Sequence, residues 1–289
     1  MKFGIILPNY GPDASRLAIL DTTLAAERLG YDSVWTTDHI ALPKDEAREY
    51  GLIYEAITTL SYLAGSTSRV RLGISALVLP QRNPVEVAKQ LATLDVLSGG
   101  RVTLATGIGW SRGEYENLGH SFADRGRRMD EALQVLRTLW RGNKVVTFKG
   151  KYYSIQQAAF EPQPVQAGGP PIWVAGDSPA ALKRAIYYAD GWHPHMRSPQ
   201  ALEDAMQQAR SLLGSRPFTV CLRMRVAFTP APVPEVQLSG TPEDMRSLLR
   251  AFQQAGAEYV LLHFAVETQA ARERAMQTFS KEVMPAVGY

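Results

Sequence analysis

The chain has 289 residues, 45% hydrophobic and 20% charged, with a formal net charge of +3. That length buries a core without disulfides, and the lone cysteine, Cys221, forms no internal bridge, which fits a reducing compartment. The small, scattered basic excess argues against a nucleic-acid partner. The apolar run at 3–7 is too short for a signal peptide or membrane span, so a cytoplasmic protein is expected.

Apolar runs alternate with amphipathic stretches throughout. Residues 3–7 predict a strand and 15–29 a helix closed by Gly30. A strand at 33–37, a helix near 54–64 and a strand at 70–75 follow. In the next unit Asn83 caps a helix, Pro84 suits its first turn, and Val87, Ala88, Leu91 and Leu94 form its buried stripe. Ser98-Gly99-Gly100 ends that helix, and 102–106 is a strand whose end, Gly107 and Gly109, carries no bulk just before Trp110. A helix over 125–140 places Met129, Ala132, Leu133, Leu136 and Leu139 on one face. Residues 143–171 are expected as an insertion: an alternating patch turning near Lys149-Gly150, then a Pro/Gly-rich loop, either a lid or a plain surface loop.

Beyond it lie a strand at 172–175, a helix at 179–189 and a very short strand at 191–193. A helix near 199–213 and a strand at 218–228 come next, then an irregular loop over 229–240 with Pro230, Pro232 and Pro234. A helix at 242–255, a strand at 259–263 and a helix at 269–283 complete the chain. Eight strands, each followed by a helix, predict an α/β fold of the (β/α)8 TIM-barrel class rather than a doubly wound sheet. One domain over 1–289 is expected, its insertions on the face where the strands end.

That face is where such a fold keeps its chemistry. The strand ends carry Asp38-His39, Ser75-Ala76, Gly107–Trp110, Ala175-Gly176-Asp177-Ser178, His193 and His195, and His263. Gly176, a cap from Asp177 or Ser178, and Pro179 describe a helix N-terminus able to receive an anion, or simply a helix capped by its own side chain. Asp38-His39 reads as an acid/base pair, a metal pair or a structural hydrogen bond. His193-Pro194-His195 has the spacing of a metal-dependent hydrolase motif, but on the wrong strand and without a further ligand on the fourth, so no metal is expected.

Gly107-x-Gly109 followed by Gly113 misses the dinucleotide pattern, no G-x-S-x-G is present, and Cys221 falls inside a strand. Arg223 and Arg225 share a strand face and predict buried ion pairs ahead of a substrate-binding role. Arg125, Arg127 and Arg128 predict a solvated helix face or a local anion site.

Several stretches together resemble the bacterial luciferase-like superfamily, and within it the coenzyme F420-dependent oxidoreductases, over nearly the whole chain. They are Phe3-Gly4-Ile5 with Leu7-Pro8, Gly30-Tyr31-Asp32-Ser33-Val34-Trp35 leading to Asp38-His39, and Arg82-Asn83-Pro84. Leu97-Ser98-Gly99-Gly100-Arg101, Gly107-Ile108-Gly109-Trp110 with Glu114-Tyr115, Trp173-Val174-Ala175-Gly176 and Ala189-Asp190-Gly191-Trp192 complete the set.

The resemblance implies a barrel with an insertion, a homodimer, and hydride transfer between a deazaflavin and a small organic substrate. An FMN-dependent monooxygenase using reduced flavin and oxygen is the alternative. A metal-dependent hydrolase and a non-catalytic flavin-binding protein rank lower. It also implies that Ser75-Ala76 is a non-proline cis peptide behind the cofactor ring and that Asp38 and His39 lie by the ring's polar edge. Thr106, Gly107 and Gly109 would line its flat side, with Tyr115 and Ala175 among the cofactor contacts, and Gly176, Asp177 and Ser178 would receive its phosphate. Trp110 would wall the substrate. Because Trp110 stands where some relatives carry a proton-donating Glu, His39 is the expected general acid/base, with Glu114 or Tyr115 as substitutes.

Overall fold

Side chains that cap, staple and turn the backbone explain most of the element boundaries. The computed structural model describes residues 1–195, 198–233, 236–264, 266 and 268–287. Its strands are β1 (Lys2–Ile6), β2 (Ser33–Thr36), β3 (Arg71–Val78), β4 (Val102–Gly107), β5 (Val145–Lys149) and β6 (Ser154–Ala159). They continue with β7 (Ile172–Ala175), β8 (Gly191–His193), β9 (Thr219–Phe228), β10 (Leu238–Gly240) and β11 (Tyr259–Phe264). The chain divides into two compact units: Met1–Pro8, Ser15–Trp35 and Trp173–Tyr289 in one, Asn9–Ala14 and Thr36–Ile172 in the other.

In the first unit all pairings are parallel. β11 lies between β1 and β9, β2 joins β1, β8 links β9 to β7, and β10 extends the end of β9. Gly4 admits no side chain, because a Cβ there would lie 2.4 Å from Ser33 Oγ and 2.6 Å from Trp35 Nε1. That indole donates to Ser33 Oγ at 2.6 Å and stacks on Trp173 at 5.2 Å, while Tyr259 donates to the same hydroxyl oxygen at 2.8 Å. Asp32 accepts from the Phe3 amide at 2.8 Å, and the Tyr31 hydroxyl donates to the Met276 carbonyl at 2.8 Å. Much of the Tyr31–Trp35 motif is thus structural cement. Cys221 is fully buried within β9, and burial pushes its thiol well above the usual range, which disqualifies it as a nucleophile.

The helix expected at 15–29 is Arg16–Arg28, capped by Ser15, whose side chain accepts from the Ala18 amide. The expected helix at 269–283 is instead a helix over Gln269–Thr278 that widens into a π-turn at Phe279–Val283. Arg225 is exposed, which overturns its expected buried ion pair: a solvated guanidinium needs no partner. The irregular loop expected over 229–240 ends instead in β10, where Ser239 Oγ accepts from the Val233 amide at 2.7 Å. Pro234 lies outside the described residues.

The second unit pairs β3 with β4 in parallel, with a register shift between Ile74 and Leu77. The Ser75-Ala76 peptide between them is cis, and β3 continues past it to Val78, beyond the expected end at 75. The helix Pro84–Ser98 is capped by Asn83, which accepts from the Val85 amide, and ends on Gly99 at φ +70°. Arg101 is buried, and its guanidinium reaches the carbonyls of Ser98, Val70, Ala64 and Thr67 and the Thr67 hydroxyl at 2.7–3.0 Å.

The insertion is an antiparallel β5–β6 hairpin. Its turn is moored by Glu131, whose carboxylate accepts the amides of Lys151, Tyr152 and Tyr153 at 2.7–2.9 Å. No helix among the described residues is long and apolar enough to cross a membrane.

Two histidines of the first unit set an acid limit. His193 is wholly buried and donates from Nδ1 to the Cys221 carbonyl at 2.7 Å. Burial, with the charge of His195, holds its pKa at about 3. His263 is held at about 3 by burial and by Arg223, Arg225 and Arg272. Both fall below an unfolded value of roughly 6.5, so below that pH the unfolded chain binds protons the folded chain refuses. Their contribution is whole above pH ~6.5 and is lost as pH falls toward 3, at about 1.4 kcal/mol per pH unit for each. Urea midpoints between pH 6.5 and 4.5 are expected to fall more steeply for the parent than for His193→Gln; equal slopes would refute this account.

Candidate active site

In the second unit, the end of β2, the bulged end of β3 and the segment after β4 supply one connected group of side chains. Asp38 is buried. Its Oδ2 accepts from the Val78 amide at 2.9 Å and its Oδ1 from Arg82 at 2.6 Å. Arg82 also reaches Glu55 at 3.2 Å. Burial raises the Asp38 carboxyl above its ordinary value against the pull of Arg82 and of the Val78 amide.

His39 and Glu114, far apart in sequence, form a buried pair, His39 Nδ1 to Glu114 Oε2 at 2.9 Å. Glu114 also accepts from the Ile40 amide at 2.7 Å, the Ala41 amide at 3.2 Å and Gln81 Nε2 at 3.2 Å. Burial opposes its ionisation. The hydrogen bonds from His39, Ile40 and Gln81, with the charge of His39, outweigh burial and hold the carboxyl below the usual range. An ionised carboxylate only accepts, so His39 Nδ1 carries a hydrogen.

Glu114 and Tyr115 sit on a short helix, Arg112–Asn117, within a stretch the sequence reading leaves as a loop over 111–124. Its signal is present: Ser111-x-x-Glu114 is a capping pattern, and Ser111 Oγ accepts from the Glu114 amide at 2.9 Å. The Glu114 side chain departs from that pattern by reaching His39 instead of its own helix start. Gln81 and Tyr50, whose ring lies 4.8 Å from that of His39, are further members that the sequence reading misses.

Trp110 meets His39 edge-on at 5.6 Å and is 54% exposed. Tyr115 is fully enclosed, and its hydroxyl donates to the Ile108 carbonyl at 2.6 Å. Burial raises that phenol, which makes it a poor proton donor. Thr106 Oγ1 donates to the Leu77 carbonyl at 2.9 Å, tying β4 to the bulge at Ser75 and Ala76. Gly109 has φ +70°, and a Cβ there would lie 2.7 Å from Val78 Cγ1, so packing as well as an open strand end requires glycine. Beyond Gly107 the segment is only half-buried until Trp110.

In the first unit, Ala175 ends β7, Gly176 follows at φ +122°, and Ser178 caps the helix Pro179–Tyr188 by accepting from the Ala181 amide. Asp177 is occupied otherwise: its Oδ1 accepts from the His195 amide at 2.5 Å. The Trp192 indole donates to the Gly176 carbonyl at 2.8 Å. Pro179 carries no amide hydrogen and the Ala181 and Leu182 amides already donate to Ser178, so what this helix start offers an anion is chiefly the positive potential of the helix dipole. Among the described residues no three His, Cys, Asp or Glu side chains gather where they could hold a metal ion.

Residues 1–233 match the family model described as luciferase-like monooxygenase. The chain is 32% identical over 279 residues to the phthiodiolone/phenolphthiodiolone dimycocerosates ketoreductase of Mycobacterium tuberculosis, covering 87% of this chain and 69% of that protein. Monooxygenase RslO1 from Streptomyces bottropensis shares its fold at TM-score 0.83 and 21% identity, covering 99% of both chains. An F420-dependent secondary alcohol dehydrogenase, solved with an F420–acetone adduct, does so at TM-score 0.82 and 22% identity, covering 100% of this chain and 99% of that one. The fold is the (β/α)8 barrel that the alternation of strands and helices predicts. The chain belongs to the luciferase-like monooxygenase family and is an oxidoreductase.

Proposed function

We propose that the protein moves a hydride between coenzyme F420 and an alcohol–ketone couple, with His39 as general acid/base and Glu114 as its positioning residue. The observation that carries this reading is the buried His39–Glu114 pair, which fixes one imidazole nitrogen and leaves the other for substrate. The ketoreductase relative and the alcohol dehydrogenase of the same fold support a carbonyl couple.

The residues present fit such a cofactor. Its polar ring edge needs hydrogen-bonding atoms, and Thr37 Oγ1, next to Asp38 in the chain, and Gln81 Oε1, on the side chain that reaches Glu114, are buried without a protein partner. Ser75, Ala76, Thr106, Gly107 and Gly109 would hold the ring, with Tyr115 packed behind Gly109. Ala175, Gly176, Asp177 and Ser178 would hold the phosphate through the helix N-terminus. When bound, the deazaflavin supplies carbon five as hydride donor or acceptor. His39 Nε2 takes the hydroxyl proton as the alcohol is oxidised and returns it to the carbonyl oxygen in reverse. Trp110 keeps water from one edge of His39.

Fluorescence titration of cofactor-free protein with F420 and with FMN tests the reading. Binding of F420 at least about tenfold tighter than FMN is expected. The reverse order would assign the protein to the reduced-FMN, oxygen-using reaction, and binding of neither would overturn both.

A further inference from the structure

Tyr50 has no part in the chemistry just described, yet the backbone places it with care. Its ring rests on that of Tyr10 at 5.0 Å, Tyr10 forms an antiparallel bridge with Ile53, and the Gly11 amide reaches the Leu52 carbonyl at 3.0 Å. The Tyr54 amide reaches the Asn9 carbonyl at 2.8 Å, and Asn9 Nδ2 returns to the Tyr54 carbonyl at 3.0 Å. So fastened, Tyr50 lies 4.8 Å from His39, whose imidazole Trp110 also meets at 5.6 Å.

The neighbouring segments leave apolar bulk in solvent. Ile40, next to His39, is 42% exposed, and Leu52, two residues past Tyr50, is 49% exposed. One exposed apolar side chain is ordinary; two on the segments that carry His39 and Tyr50, together with the rings on the imidazole, favour an apolar ligand. Charge points the same way. Arg82 is already held by the carboxylates of Asp38 and Glu55, and His39 by that of Glu114. An entering phosphate or carboxylate would meet fixed carboxylates and a guanidinium that is already paired, whereas a neutral apolar molecule would meet no such repulsion.

We infer that Tyr50 and Trp110 bracket His39 as an aromatic clamp, and that the substrate is an uncharged alcohol or ketone with an apolar body of several carbons. This rests on His39 being the acid/base. The test uses cofactor-free protein, so that its failure is distinct from failure to bind F420. Saturation-transfer NMR and calorimetry compare 2-octanone, 2-butanone and glucose 6-phosphate as probes.

Binding of 2-octanone at least about tenfold tighter than 2-butanone is expected, with none for glucose 6-phosphate. Tyr50→Ala and Trp110→Ala are each expected to weaken 2-octanone about tenfold, while Tyr50→Phe keeps parental affinity because the ring is retained. In the loaded enzyme the same two alanine variants are expected to raise KM by a similar factor, whereas Tyr50→Phe keeps the parental KM. Preference for glucose 6-phosphate, absent or equal binding of the two ketones, or parental affinity in both alanine variants would overturn the proposal.

Discussion

Glu114→Gln is expected to lower kcat about 10²-fold while leaving cofactor affinity within about twofold. Four donors converge on this side chain: His39 Nδ1, the Ile40 and Ala41 amides, and Gln81 Nε2. A carboxylate accepts from all four. A glutamine accepts on one oxygen only and presents its own NH2 group to the remaining donors, so the imidazole loses its orientation and its fixed hydrogen. The unmatched donors also cost about 1–3 kcal/mol of stability, readable as a lower melting temperature. Glu114→Asp restores the charge but not the reach, and is expected between glutamine and parent. His39→Asn removes the imidazole proposed as acid/base and is expected to lower kcat by about 10²–10⁴. Parental kcat in both Glu114→Gln and His39→Asn would remove His39 from the chemistry.

Arg101→Met is the substitution expected to damage folding most. All five N–H bonds of this buried guanidinium find acceptors, and two of these carbonyls, Ser98 and Ala64, close the helices Pro84–Ser98 and Ala56–Ala64. A cation set against two helix C-termini gains from both dipoles, and the planar fork meets acceptors lying in several directions. Methionine fills the volume but strands those carbonyls, at about 3–5 kcal/mol. In a chain of this size that is a fall in melting temperature on the order of 10 °C. Lysine, a point charge with three donors, is expected to recover less than half. A fall of less than about 3 °C for methionine would mean that water reaches those carbonyls.

Arg101 also illustrates what sequence conveys. The Ser98-Gly99-Gly100 turn was legible because left-handed backbone demands glycine locally, and Gly99 and Gly100 take φ +70° and +82°. The role of the arginine that follows depends on where Ala64, Thr67 and Val70 come to lie, which no local rule gives. The same division runs through the active site. Asp38 and His39 were legible as chemically apt residues at a strand end, and Glu114 and the cis peptide at Ser75-Ala76 through family likeness. The joining of His39 to Glu114 was not, because it requires the Arg112–Asn117 helix, too short for periodicity to reveal. Tyr50 lies in a segment whose order comes from backbone contacts to Asn9, Tyr10 and Gly11, which leave no mark in composition.

Glu131 holds the β5–β6 hairpin by backbone amides alone, so the fastening is blind to the side chains of Lys151, Tyr152 and Tyr153. Gly150 is the exception: a Cβ there would lie 2.0 Å from Glu131 Oε1, an atom that these hydrogen bonds prevent from moving aside. The insertion is therefore built as an exchangeable cassette. Residues 151–153 can vary, by evolution or by library design, while one acidic residue on the scaffold and one glycine in the turn keep each new version seated.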